Sequence, residues 1–154
     1  MAGRVQVDYT DAQRTLQAIA RRAPQLKRRL SKDLRASANK VKARQQQAVG
    51  QSGGLSGAIA RSVVVSTRYS GRNTGVNIRA SGAKMPETNM RRLPRYVDRG
   101  SWRHPVFGNP KAWVTQASWA PGWFLDTGKQ QLPAVRDDIN KTITDYVRYL
   151  ASGL

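Results

Sequence analysis

The sequence contains no cysteine and only one histidine, His104. The lack of cysteine excludes a disulfide framework, an iron–sulfur cluster and thiol chemistry, and a lone histidine excludes a multi-histidine metal site. Walker, GxGxxG and GxSxG motifs are also missing. We therefore predict no catalytic residue, no metal and no cofactor, and expect a protein that is not an enzyme. His104, between Arg103 and Pro105, is interpreted as fixing a turn by a hydrogen bond.

Acidic residues are scarce, with 9 aspartates and glutamates against 27 lysines and arginines. Asp126, Asp137, Asp138 and Asp145 fall in or near the last predicted helix, where a solvated helix face explains them better than an acid–base pair does. The formal net charge is +18, and residues 1–50 alone carry 12 basic and 3 acidic side chains. Such a field favours contact with polyanions or with acidic protein surfaces.

Long apolar runs are absent as well. No stretch approaches the roughly 20 apolar residues of a membrane span, and the opening MAGRVQVDYT lacks the apolar centre of a signal peptide. We expect no membrane partner, and a soluble protein that works in the cytoplasm or in an assembly built there.

What the chain does contain predicts a single α+β domain over 1–154, with a helical arm over 10–50. Val5, Val7 and Tyr9 alternate as a short opening strand or extended arm. Pro24 either kinks the first helix or begins a second one. A narrow apolar stripe then recurs at three- and four-residue spacing. Its members are Leu26, Leu30, Leu34, Ala38 and Val41.

Basic side chains fill the positions between the members of this stripe. They are Lys27, Arg28, Arg29, Lys32, Arg35, Lys40, Lys42 and Arg44. The pattern predicts a long basic helix that ends near Val49 and lies along a partner rather than in a core. Phosphate-backbone binding and a solvated or protein-facing surface remain equally good interpretations of these cations.

The middle of the chain, 58–124, predicts a small antiparallel sheet with an aromatic core segment. Residues 58–69 are rich in β-branched side chains and predict a strand, and 76–79 predict its return strand after turn residues at 70–75. The stretch 81–93 is predicted as a loop with room for a short helix, and 111–119 as a further strand. An amphipathic helix is predicted over 130–152, opened or kinked by Pro133.

The segment from Arg99 to Phe124 holds all four tryptophans and both phenylalanines of the chain. Large aromatic side chains bury roughly 150–250 Å² each. We therefore predict that the tryptophans pack in the core, and that the rest of the subunit folds around them.

The ordered series RHPVFG, WVTQ and PGWF in this segment resembles the small tail-component, or tail-completion, proteins of long-tailed bacteriophages, especially those of actinobacterial hosts. The series covers about a sixth of the chain. Its residues are Arg103, His104, Pro105, Phe107, Gly108, Trp113, Gln116, Pro121, Gly122, Trp123 and Phe124. The resemblance implies that these residues are structural and shape a turn–strand–turn unit.

The resemblance also implies a non-enzymatic virion protein of the head–tail joint, made in the host cytoplasm during assembly. Members form a homo-oligomeric ring, which we expect to be sixfold or twelvefold, and attach the tail to the filled head. The implied partners are neighbouring connector, stopper, tail-terminator or tail-tube proteins, with DNA contact in the channel as a further expectation. The alternatives are a tail terminator that caps the tail tube, and a basic DNA-binding protein.

Overall fold

The computed structural model describes residues 24–50, 54–68 and 75–152, and they form the expected α+β fold. The helices are α1 (Pro24–Gly50), α2 (Leu55–Ser62), α3 (Leu93–Arg99) and α4 (Leu125–Ser152), and the strands are β1 (Val63–Arg68), β2 (Gly75–Ala80), β3 (Ser101–Val106) and β4 (Asn109–Ala117). The strands pair as two separate antiparallel sheets, β1 with β2 and β3 with β4. The predicted opening strand, the arm over 10–23 and most of the predicted turn at 70–75 lie outside the described residues.

The two long helices pack against each other in antiparallel orientation. Near the start of α1, Leu26 and Leu30 form a buried cluster with Tyr146 of α4. Near the end of α1, Gln45 donates a hydrogen bond from Nε2 to the carbonyl of Phe124, at 2.8 Å. The prediction that this helix lies along a partner rather than in a core is therefore wrong, because α4 covers its apolar stripe.

The stripe extends further along α1 than its apolar residues alone indicate. Its buried members are Leu26, Leu30, Ser37, Ala38, Val41, Gln45 and Val49. Ser37 faces Asp138 of α4 and donates a hydrogen bond to it. Across the same interface, the Thr142 hydroxyl donates to Asp33 at 2.8 Å. Polar residues thus belong to the buried face wherever the partner helix supplies a hydrogen bond.

The main core lies where the end of α1 meets α2, the hairpin formed by β1 and β2, and the start of α4. Val49, Ile59, Val63, Val97 and Trp123 are its most completely buried hydrophobic members. These residues come from five parts of the chain, so the core is assembled by long-range contacts and not by one aromatic segment alone.

The prediction of one strand over 58–69 is wrong in its first part, because residues up to Ser62 belong to α2. Ile59 and Ser62 are three residues apart and both fully buried, as one face of a helix requires. The Ser62 hydroxyl donates back to the Ile59 carbonyl at 2.6 Å. The strand begins at Val63, where the β-branched run starts, and pairs with the predicted return strand in the register Val65 to Ile78.

The helix α3 is present where no helix was predicted. Pro94 lies in its first turn, where a missing amide proton costs nothing, and Gly100 ends it with a φ of 96°. The preceding stretch contains two short 3₁₀ turns, Gly82–Lys84 and Thr88–Met90.

The last helix starts earlier than the predicted 130. It begins at Leu125 and continues through Pro133 to Ser152. The proline lies inside the helix, so it does not open the helix as the first alternative supposed.

Candidate functional site

The aromatic segment separates into a buried half and an exposed half. In the PGWF half, Trp123 and Phe124 belong to the core: each is 2% exposed, and their rings meet edge to face at 5.3 Å between centroids. The Trp123 indole N–H donates to the carbonyl of Pro94 in α3, at 3.2 Å. Pro121 and Gly122 form the turn before it, and Gly122 has a φ of 70°, which glycine adopts without strain.

Asp98 of α3 holds the PGWF half in place, and no pattern in the sequence pointed to this residue. Its Oδ1 accepts hydrogen bonds from the backbone N–H groups of Phe124, at 2.8 Å, and Leu125, at 3.2 Å. Its own carbonyl accepts from Gly122 at 2.8 Å. These are orphan amides at the start of α4, so Asp98 acts as a cap supplied from another helix.

The RHPVFG and WVTQ half forms the β3–β4 hairpin. Phe107 and Gly108 form the connection between the two strands. Over the whole series the chain runs from this turn through β4 to the turn at Pro121 and Gly122, which is the order that the turn–strand–turn expectation describes. The backbone of Gly108 has a φ of 80°. The exposed motif residues here are Arg103, Pro105, Phe107, Gly108, Trp113 and Gln116.

The four tryptophans do not share one environment. Trp123 is in the core, and Trp102 and Trp119 pack against it, with their rings edge to face at 6.3 Å. Trp113 is 53% exposed. The prediction that the tryptophans pack in the core is therefore wrong for Trp113, because both faces of the outer part of a two-stranded hairpin meet solvent.

His104 lies within β3 and is half-buried, so the interpretation that it fixes a turn is wrong. Its Nδ1 is 2.9 Å from the carbonyl of Pro105. A carbonyl can only accept, so this contact requires the proton on Nδ1.

The basic residues of α1 lie mainly on the side of the helix away from its buried stripe. Seven are exposed and Lys42 is half-buried; the exposed ones are Lys27, Arg28, Arg29, Lys32, Arg35, Lys40 and Arg44. Among the residues that the structure describes, only Lys40 of these eight forms an ion pair, with Asp138 at 3.0 Å. The other seven form no ion pair with a described acidic side chain, and we call all eight residues the basic face.

The pKa of Asp138 is lowered by its contacts with α1. The hydrogen bond from the Ser37 hydroxyl, at 2.7 Å, lowers the pKa of Asp138 below the ordinary 3.8, and the hydrogen bond from Lys40 adds to this. Both donors stabilise the carboxylate form. The carboxylate thus joins the two long helices.

Within 24–50, 54–68 and 75–152, no group of three or more acidic, cysteine or histidine side chains is placed to hold a metal ion. None of the helices in those ranges is long and apolar enough to cross a bilayer. Comparison with family models, curated proteins and solved structures gave no match.

Proposed function

We propose that the chain is a structural subunit of the head–tail joint of a long-tailed bacteriophage, where copies form a ring that attaches the tail to the head. The ordered RHPVFG, WVTQ and PGWF series is the basis for the choice of virion protein. The observation that supports the proposal is where the structure places this series. PGWF attaches the β3–β4 hairpin to the core, and the outer part of that hairpin is apolar and packs against no other element among the described residues.

The outer hairpin has the composition of a protein-binding surface. Phe107 at its tip is 104% exposed, and Val106, Trp113 and Val114 are 37%, 53% and 42% exposed. Burial of apolar surface contributes roughly 25 cal/mol per Å², and interface hot spots are rich in aromatic residues. A two-stranded hairpin is also only marginally stable by itself, so contact with a neighbour would stabilise it.

The basic face supplies the second contact of this proposal. Complementary charge speeds association and fixes orientation more than it adds affinity. Acidic surfaces of neighbouring rings suit this role better than DNA does, because tight phosphate binding along a channel would oppose rapid passage of the genome.

The test is a phage that lacks this gene, complemented with variants and imaged by negative stain. Loss of the chain should give filled heads and separate tails, and the wild-type gene should restore virions. A Phe107→Ser, Trp113→Ala double variant should fail to restore them, whereas Lys111→Ala on the same hairpin should succeed. Overlong tail tubes would instead indicate the tail terminator, and intact virions without the gene would contradict both assignments.

A second candidate is a polyanion-binding protein, favoured by the seven cations of the basic face that form no ion pair among the described residues. The test compares two triple alanine variants with the same change in charge: Arg28, Arg29 and Arg35 on α1, and Lys129, Arg136 and Lys141 on α4. If α1 binds duplex DNA, the first variant should reduce the slope of log K against log salt by up to about 2.7, at about 0.9 per phosphate contact. Equal slopes for the two variants would reject this candidate.

A further inference from the structure

Among the described residues, no strand pairs with the edge of β4 that faces away from β3. Ser118 donates its backbone N–H to the carbonyl of Gly100 at 2.8 Å, in line with the register that pairs Ser101 with Ala117. Hydrogen-bonded and non-hydrogen-bonded pairs alternate along an antiparallel ladder. The backbone groups of Trp113, Thr115 and Ala117 therefore point away from β3. Within the described ranges, they have no backbone partner on that side.

The two edges of this hairpin are protected unequally. On β3, the residue opposite Trp113 is Pro105, which has no N–H to offer, and α3 packs beside this strand. Proline at such a position is a common guard against unwanted pairing. On β4, residues 112–118 contain neither proline nor charge. Of the two edges of this hairpin, only that of β4 can thus form a regular hydrogen-bonded ladder with another strand.

We propose that the open edge of β4 pairs with β4 of a second copy of this chain, in antiparallel orientation around Thr115, to give a continuous four-stranded sheet. The sequence of the edge is self-complementary in this register. Trp113 lies beside Ala117 of the second copy, so a large side chain meets a small one on the same face. Thr115 lies beside Thr115 of the second copy, a favourable cross-strand pair.

The charge distribution permits this contact in spite of the net charge of +18. The nearest cation across the hairpin is Arg103, which is paired with Thr115. In the four-stranded sheet the two Arg103 side chains are three strand spacings apart, about 14 Å. That separation exceeds the Debye length of about 8 Å at physiological salt, so their repulsion is largely screened. The pairing should therefore weaken only when the salt concentration falls well below the physiological value.

This inference depends on the strand edges and not on the proposed function. A twofold contact joins copies in pairs, whereas closure of a ring uses other surfaces. The two proposals can therefore fail separately. Deletion of the gene from the phage tests the proposed function, and experiments on the purified chain test the strand pairing.

The absence of cysteine makes disulfide trapping a clean experiment, because each single-cysteine variant carries one thiol. Thr115→Cys places two thiols across the twofold axis, with Cα atoms about 5.5 Å apart, inside the range that a disulfide spans. Arg103→Cys is the matched control. Residue 103 lies on the same face of the hairpin as residue 115, but on β3, whose outer edge contains Pro105. Under mild oxidation, we expect Thr115→Cys to form a covalent dimer at least tenfold faster than Arg103→Cys.

A second variant, Thr115→Pro, removes the Thr115 side chain and an N–H that points away from β3, so no hydrogen bond within the hairpin is deleted. Circular dichroism and thermal unfolding check that it folds. Sedimentation should then show dimerisation at least tenfold weaker than in the wild type. Equal crosslinking of the two cysteine variants, a monomeric wild type at all concentrations, or an unchanged mass distribution for folded Thr115→Pro would each overturn the proposal.

Discussion

The two halves of the aromatic segment both contain a tryptophan and a phenylalanine but lie in opposite environments. Around Trp123, α3 supplies a carbonyl for the indole and Asp98 supplies a cap, so the side chains are enclosed on every side. Around Trp113, one antiparallel neighbour is the principal support, and the ring remains half in solvent. Burial of an aromatic residue therefore depends on how many elements converge on it, and not on how many aromatic residues surround it in sequence.

The largest effect expected from this difference is the loss of stability on removing Trp123. Trp123→Ala empties a buried position and should lower the free energy of unfolding by about 3–5 kcal/mol. Trp113→Ala, the matched change on the hairpin, should cost about 1 kcal/mol or less. Urea unfolding of both variants measures the contrast, and equal losses would show that the hairpin is as much a part of the core as PGWF.

The second-largest effect is expected at Asp98, which caps the start of α4 next to the buried PGWF half. Asp98→Ala leaves the amides of Phe124 and Leu125 without their acceptor and should cost about 1–2 kcal/mol. Asp98→Asn keeps an oxygen acceptor and should cost less. Thermal unfolding distinguishes them; if Asp98→Ala melts like the wild type, the cap does not hold the start of α4.

A smaller effect should appear at acidic pH, where the helix pair loses its carboxylate link. Because the folded-state pKa of Asp138 is lowered, its contribution is present above pH 3.8 and is lost as the pH falls below that value. The pair with Lys40 is well exposed, so the contribution is roughly 0.2–1 kcal/mol. Asp138→Asn should therefore lose less stability on acidification than the wild type. Identical acid unfolding curves for the two proteins would contradict this reasoning.

The smallest effect on folding should come from the most exposed aromatic residue. Phe107→Ser removes a side chain that is fully in solvent, so stability should change by no more than about 0.5 kcal/mol. Its effect should instead appear when the chain assembles. A marked drop in melting temperature for Phe107→Ser would mean that the tip supports the fold itself.

The long helices were predictable because their signals are local and repeated. Leu26 and Leu30 on α1, and Ile143 and Tyr146 on α4, recur at helical spacing over several turns. That the two stripes cover each other was not predictable. A basic helix with a narrow stripe fits a partner subunit as well as a second helix of its own chain.

The short elements were missed because their signals are weak or distant. Ile59 precedes a run of valines, so its helical spacing to Ser62 was hidden by the β-branched residues that follow. The start of α4 at Leu125 depends on Asp98, which is 27 residues away in the sequence. No pattern confined to a window of one helix can reveal a cap that another helix supplies.

The antiparallel packing of α1 and α4 gives the subunit two distinguishable poles. Leu26 and Tyr146 mark one pole. The β3–β4 hairpin joins α4 at the other pole, where Gln45 of α1 donates to the carbonyl of Phe124, the residue before α4. A helix of 27 residues is about 40 Å long. A bulky label fused after residue 152 would therefore mark the pole opposite the hairpin, and electron micrographs of labelled assemblies would show in which direction the hairpins point.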